Sequence, residues 1–239
     1  MRWPPPTPSA VMLVAGSLAL ALASQDILRM QGITMASAAA IATLASYGRL
    51  YSSTSSRSFR ADPPALTLAL SPYALALVLE GPSLILWYIP PSLAFAVYLL
   101  LSSMGQGRSP AGLTAGAISL ASLSAAFSGV LRNPLPSAVP LCAAWTALGA
   151  FEVLFVESVL PFRRIPRGIQ LVPLSAGLVA SLISLPPLGL AFIEPLYMAL
   201  RYMGREVNPR EVRALGLRVA VSSSIFLAIG IMVALFFRR

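Results

Sequence analysis

The chain has no lysine and no histidine, and its one cysteine is Cys142. A single thiol excludes an internal disulfide and a cysteine-based metal cluster. The lack of histidine removes the usual general base and the usual imidazole ligand of zinc or haem, and no lysine is present to activate a serine. We therefore expect no catalytic, cofactor-binding or metal site, and the sequence favours a protein that is not an enzyme.

Charge is also scarce. Charged residues make up 10% of the 239 residues and hydrophobic residues 57%, whereas about a quarter of the residues of a soluble domain are charged. The 17 arginines and 8 acids give a net charge of +9, which in a soluble protein would suggest a nucleic-acid partner. In so apolar a chain the composition instead predicts an integral protein of the cell membrane, in contact with membrane lipids and without nucleic acid.

Long apolar runs are separated by clusters of Gly, Pro, Ser and charge, which disfavour helix or prefer water. Because a helix needs about 20 apolar residues to cross a bilayer, the runs predict an all-α, polytopic bundle that forms a single transmembrane domain over 1–239. The first run is expected to be retained, although it resembles a secretory signal. The boundaries near 80–92 and 185–189 stay open. The predicted spans, about nine in number, are 8–25, 30–48, 64–80, 82–104, 110–131, 136–161, 169–185, 188–203 and 217–237.

The arginines predict the orientation of the bundle, since positive residues collect in cytoplasmic loops. Nine spans place 13 of the 17 arginines on the side of the N-terminus, which is therefore expected to be cytoplasmic, with the C-terminus outside. The basic loops either signal this topology and contact headgroups, or form a rim that binds an anionic headgroup, for which the bidentate guanidinium is suited. The candidate rim consists of Arg57, Arg60, Arg163, Arg164, Arg167, Arg205 and Arg213.

Two glutamates fall inside the sixth predicted span. An ionisable group in a spanning helix costs at least about 2–3 kcal/mol, so each is a candidate for function. Glu157 is expected to reach the membrane interface or to pair with Arg163 or Arg164. Glu152 lies about 15 Å deeper than this arginine cluster along the helix axis, and we expect it to line a polar cavity in the cytoplasmic half of the bundle.

A third acid, Glu194, lies in the eighth predicted span directly before Pro195. Glu194, Tyr197 and Arg201 recur at i, i+3 and i+7, which places them on one helical face. The proline frees a backbone carbonyl that needs a polar partner. We expect Glu194 to line the same cavity as Glu152 and to pair with Arg201 or with an arginine of another helix.

Hydrophilic loops after the second and sixth spans resemble the layout of the intramembrane prenyltransferases of the UbiA superfamily. The resemblance implies a bundle around an isoprenoid, whose diphosphate is held by magnesium on Asp-rich motifs in these two loops. Here the loops read "SYGRLYSSTSSRSFRAD", with Asp62 as its only acid, and "FEVLFVESVLPFRRIPRG". A divalent metal needs several oxygen ligands, usually carboxylates, so the prenyltransferase chemistry is not carried over.

The final third of the chain is similar to the YwiC-like family of membrane proteins. The similarity lies in "PLGLAFIEPLYMALRY" and "NPREVRALGLRVAVSSSIFLAIG". Together the two resemblances imply a non-catalytic bundle that binds a lipid or isoprenoid, or an anionic lipid, from the cytoplasmic leaflet. Three alternatives remain: a secondary transporter that uses its intramembrane glutamates, a structural subunit of a membrane complex, and a divergent prenyltransferase.

Overall fold

The computed structural model describes residues 6–25, 29–54, 60, 62–163, 165–166, 168–205, 207–208 and 211–237. This part of the chain is helical and contains no strand, which confirms the predicted all-α class. The helices are α1 (Pro8–Ala23), α2 (Met30–Thr54), α3 (Pro63–Glu80), α4 (Ile85–Ser103), α5 (Pro110–Ala121), α6 (Leu123–Val130), α7 (Leu135–Val159), α8 (Leu171–Ser184), α9 (Ile193–Arg201) and α10 (Val212–Phe236). Two 3₁₀ segments, Pro82–Leu84 and Pro186–Phe192, precede α4 and α9.

Five helical segments within the described residues are long and apolar enough to cross a membrane, judged by length and composition. The helices α1 and α8 are apolar but shorter. The number of crossings and the orientation of the bundle therefore remain predictions. The five segments are Pro63–Glu80, Pro82–Ser103, Pro110–Val130, Leu135–Val159 and Val212–Phe236.

The open boundaries of the sequence are settled by local backbone geometry. The chain turns at Gly81, whose φ of 96° lies in the left-handed region that favours glycine, while Pro90 and Pro91 lie inside α4. Ser122 interrupts the predicted span 110–131 and separates α5 from α6. The predicted span 188–203 holds only nine α-helical residues, because a 3₁₀ segment occupies its first part.

Proline and a short polar residue start three of the helices. Thr7, Asp62 and Ser109 each precede a proline and accept a hydrogen bond from the backbone N–H three residues further on. Such caps satisfy an N–H that has no partner within the helix, and proline at the first helical position lacks the N–H that would otherwise need one. The starts of α1, α3 and α5 are thus determined locally.

Trp145 lies at the centre of the larger hydrophobic core, between α1, α7 and α10. Its side chain is fully buried, and its indole Nε1 donates to the backbone oxygen of Leu13 at 3.3 Å and to Ser17 Oγ at 3.1 Å. Its ring packs against that of Phe226, with the centroids 5.9 Å apart. A tryptophan that buries its ring and pairs its N–H contributes both packing and specificity.

The helices α1 and α10 run in the same direction. A side chain at Gly16 would meet Leu227, and one at Gly230 would meet Leu20, so the residue numbers of the two helices rise together along the contact. The start of α1 and the start of α10 therefore lie at the same end of the bundle.

An ion-pair cluster around Glu80 lies at one end of the bundle, and we call this end the Glu80 end. The carboxylate of Glu80 is 3% exposed and lies 2.8 Å from Arg132 Nη2 and 3.4 Å from Arg29 Nη2. Arg29 and Arg132 are thus joined through one acid.

The opposite end of the bundle, which we call the Arg163 end, gathers other arginines. Arg49 Nε lies 2.7 Å from Asp62 Oδ2, and Arg163 Nη2 donates to the backbone oxygen of Arg108 at 3.2 Å. The N-terminus of α1 lies at this end, because α2 begins at the Glu80 end, directly after the short connection from α1.

Gly16 is expected to be intolerant of a side chain. A Cβ at this position would clash with the ring of Trp145, and overpacking of a core costs roughly 1–3 kcal/mol. The Gly16→Ala variant should therefore unfold at a lower temperature in detergent than the wild type. Gly216→Ala is the matched control, because a Cβ at Gly216 in α10 meets no atom within 4 Å. An unchanged Tm for Gly16→Ala would contradict the packing described for Trp145.

Candidate ligand cavity

A cavity of about 440 Å³ lies inside the bundle, between α1, α2, α3, α4, α5, α6 and α7, and Val219 of α10 also lines it. Most of its wall is apolar or aromatic, and we call it the tyrosine cavity because five of the seven tyrosines of the chain line it. Its volume falls in the range of about 300–1,000 Å³ that is typical of small-molecule sites. The five tyrosines are Tyr47, Tyr51, Tyr73, Tyr88 and Tyr98.

The tyrosine cavity extends along the helix axes, from the Arg163 end past the middle of the bundle. On α5 and α6 it is lined from Leu113 to Ala126, a separation of about 20 Å at the helical rise of 1.5 Å per residue. Thr7, at the start of α1, and Glu157, near the end of α7, line its outermost part. The long dimension suits a linear apolar chain that lies parallel to the helices.

Several small residues of α5 and α7 contribute to the wall of the tyrosine cavity and leave room for it. Gly116, Ala117 and Ser119 of α5 and Gly149 of α7 line the cavity, and a side chain added at Gly116 would only touch the ring of Tyr98, at 3.5 Å. Small side chains let helices approach closely, as Gly149 does against Ala117 and Ala121 of α5, whereas Gly116 faces the ring of Tyr98. The sequence shows these residues as an Ala/Ser/Gly-rich stretch, which by itself indicates only helix packing.

Three of the five tyrosine hydroxyls of the cavity form hydrogen bonds with neighbouring protein groups. Tyr73 shares a hydrogen bond of 3.0 Å with Thr43, and Tyr98 shares one of 2.8 Å with Thr54. Tyr88 donates to the backbone oxygen of Tyr73 at 3.3 Å. These bonds fix the rings in place, so the aromatic surfaces form a preorganised lining.

Glu152 lies in the wall of the tyrosine cavity at mid-depth. The hydroxyl of Ser223 on α10 donates to Glu152 Oε1 and also lies 3.0 Å from the backbone oxygen of Val219. No arginine of the described residues forms an ion pair with Glu152. The carboxyl group is therefore positioned by a neutral hydroxyl and has no positive partner in this part of the chain.

Glu157 lines the cavity one and a half turns further toward the Arg163 end, and its charge is compensated. Its Oε2 lies 2.8 Å from Arg163 Nε, although the two groups are not aligned as a hydrogen bond. Arg163 is one of the two partners that the sequence predicts for Glu157; the other, Arg164, lies outside the described residues.

The structure does not bring Glu194 to the tyrosine cavity, which corrects the expectation that Glu152 and Glu194 share one site. Helix α9 packs against the 3₁₀ segment that precedes it and against α8 and α10, and among these only α10 contributes a residue, Val219, to the cavity wall. Arg201 donates to Tyr197 Oη at 2.7 Å and not to Glu194, whose Oε2 is buried without a hydrogen-bond partner. Tyr197 and Arg201 are both exposed, away from the cavity.

The candidate rim divides into three groups. Arg60, Arg205 and Arg213 are exposed, whereas Arg163 is partly buried by its contacts with Glu157 and Arg108. None of these four lines the tyrosine cavity. The other members of the predicted rim lie outside the described residues: Arg57, Arg164 and Arg167.

Comparison of the chain with protein-family models, with curated proteins and with solved structures gives no match. The resemblances to the UbiA superfamily and to the YwiC-like family are therefore tested by none of the three.

Proposed function

We propose that this protein is a multi-pass membrane protein that binds the apolar chain of a lipid or isoprenoid in the tyrosine cavity, without chemically changing it. The observation that carries the proposal is the cavity itself. It is long, aromatic and apolar, and it lies among helices of which several have the length and composition to cross a bilayer. A chain of methylene groups that enters it leaves one apolar surrounding for another and gains close aromatic contacts.

The proposal includes nine crossings, with the Arg163 end on the cytoplasmic side. The parallel arrangement of α1 and α10 supports an odd number of crossings, because it puts their starts at the same end. Arg49, Arg108 and Arg163 gather at the Arg163 end, where the positive-inside rule places the cytoplasm. The ligand would then come from the cytoplasmic leaflet.

The gap between α3 and α4 is the proposed route into the cavity. Helix α3 packs along α2, and α4 packs along α5. Contacts between α3 and α4 lie mainly near the Glu80 end, at the 3₁₀ segment that joins them and at the edge-on rings of Tyr73 and Tyr88. Leu70 of α3 and Ser92 of α4 are exposed and also line the cavity. An opening of this kind would let a chain move sideways from the bilayer into the bundle.

The proposal is tested with a single-chain lipid that carries a diazirine at the end of its chain. After illumination of the protein in nanodiscs, peptide mass spectrometry should find adducts on the cavity wall, at Leu120 of α5 and Val153 of α7. An excess of the unlabelled lipid should suppress them. Adducts confined to outward-facing residues such as Val78 and Leu86, which are 80% and 75% exposed, would contradict chain binding inside the bundle.

A further inference from the structure

The charged residues that line the tyrosine cavity, in the described part of the chain, are all acidic. They are Glu152 and Glu157, and no arginine among the described residues lines the cavity. This contrasts with the chain as a whole, in which 17 arginines stand against 8 acids. The arginines near the Arg163 end lie around the cavity and not in its wall, so the interior offers acidic oxygens and no cation.

The two acids differ in what they can offer a ligand. Glu157 already contacts Arg163 at 2.8 Å, so a ligand gains little from its charge. Glu152 has only the Ser223 hydroxyl as a side-chain partner among the described residues. An intramembrane carboxylate is costly unless a positive group pairs with it, and here the space in which such a group can sit is the cavity.

The aromatic rings add a second feature that favours a cation. Tyr47 and Tyr51 are stacked, with centroids 5.8 Å apart, and Phe95 stacks on Tyr98 at 6.4 Å. All four side chains line the cavity. The face of an aromatic ring carries partial negative charge and attracts ammonium groups, most strongly where water is excluded.

We infer that the ligand of the tyrosine cavity carries a positively charged nitrogen on an apolar chain, as a long-chain amine or quaternary ammonium compound does, and that Glu152 binds this nitrogen. The inference rests on the proposed function, since the chain is held by the same cavity. It adds the chemical class of the ligand: the nitrogen pairs with Glu152 at mid-depth, and the chain runs along the aromatic wall. Neutral and anionic chains of equal length are then weaker ligands.

The test is competition of three matched compounds against the diazirine lipid. Dodecyltrimethylammonium, dodecanol and dodecanoate share one chain length and differ in charge. In the wild type the ammonium compound should displace the lipid at a concentration at least about tenfold lower than dodecanol, and dodecanoate should be the weakest. In Glu152→Gln, which keeps the shape of the side chain and removes its charge, the advantage of the ammonium compound over dodecanol should fall to about twofold or less.

The outcomes separate the inference from the proposed function. A helical circular dichroism spectrum and a Tm like those of the wild type show that the Glu152→Gln variant is folded. Equal potency of the three compounds in the wild type, or equal weakening of all three by Glu152→Gln, overturns the cation inference and leaves chain binding intact. Lack of any specific labelling by the diazirine lipid overturns both. Glu194→Gln is the matched control, since Glu194 lies off the cavity, and it should retain the wild-type preference.

Discussion

Replacement of Trp145 by alanine should destabilise the protein more than any other single change considered, by about 3–5 kcal/mol. The side chain is fully buried where α1, α7 and α10 meet, and Phe226 packs on its ring. Removal of the indole leaves a cavity between three helices and withdraws the donor that serves Ser17 and Leu13. The expected result is a large fall in Tm and aggregation during size-exclusion chromatography in mild detergent.

Two further variants divide this effect into its parts. Trp145→Phe keeps much of the ring but removes the N–H, so it should cost about 1–3 kcal/mol, because Ser17 Oγ and the Leu13 carbonyl lose the buried donor from which they accept. Leu86→Ala removes an outward-facing side chain that is 75% exposed, and it should leave the Tm in detergent unchanged. If Trp145→Ala and Leu86→Ala had the same Tm, the assigned core would be wrong.

The helices could be predicted from the sequence because the signals that define them are local. Apolar runs, proline after a capping residue and glycine at a turn act on neighbouring residues, and they set the starts of α1, α3 and α5 and the turn at Gly81. The same holds for Glu157 and Arg163, which are six residues apart and meet where α7 ends. Contacts of this range depend little on how the helices pack.

The cavity could not be predicted in the same way, because its lining comes from distant parts of the chain. The five tyrosines are spread over α2, α3 and α4, and the partner of Glu152 is Ser223 on α10. Tyr47 and Tyr51 are four residues apart on α2, and Phe95 and Tyr98 three apart on α4, and these pairs are local signals of the aromatic wall. Glu80 closes the opposite end with two arginines, although its position at the end of a span gave no sign of this role.

Glu194 shows why position within an apolar segment is not sufficient to define a site. Its depth in the predicted span and its spacing from Arg201 both favoured a place beside Glu152. The segment before it forms a 3₁₀ turn, however, so that α9 is short, and none of its residues lines the cavity. The location of a buried acid depends on which helices are neighbours, and a single sequence carries little information about that.

Filling the tyrosine cavity should abolish ligand binding, and this is the second large effect expected. Val153 of α7 lines the cavity next to Glu152, and a tryptophan there would occupy a substantial part of its volume of about 440 Å³. A chain that needs the same space can bind only after the indole is displaced. We expect Val153→Trp to weaken binding of the diazirine lipid by at least about tenfold, measured as the concentration that gives half-maximal labelling.

The control for this variant is the same substitution on the outer face of the same helix. Val139 of α7 is 49% exposed and does not line the cavity, so Val139→Trp should bind the lipid as the wild type does. Both variants should keep the helical circular dichroism spectrum, because the first fills an existing space and the second faces lipid. Unchanged labelling of the cavity wall in a folded Val153→Trp variant would mean that the chain lies elsewhere, since a chain and an indole cannot share this volume.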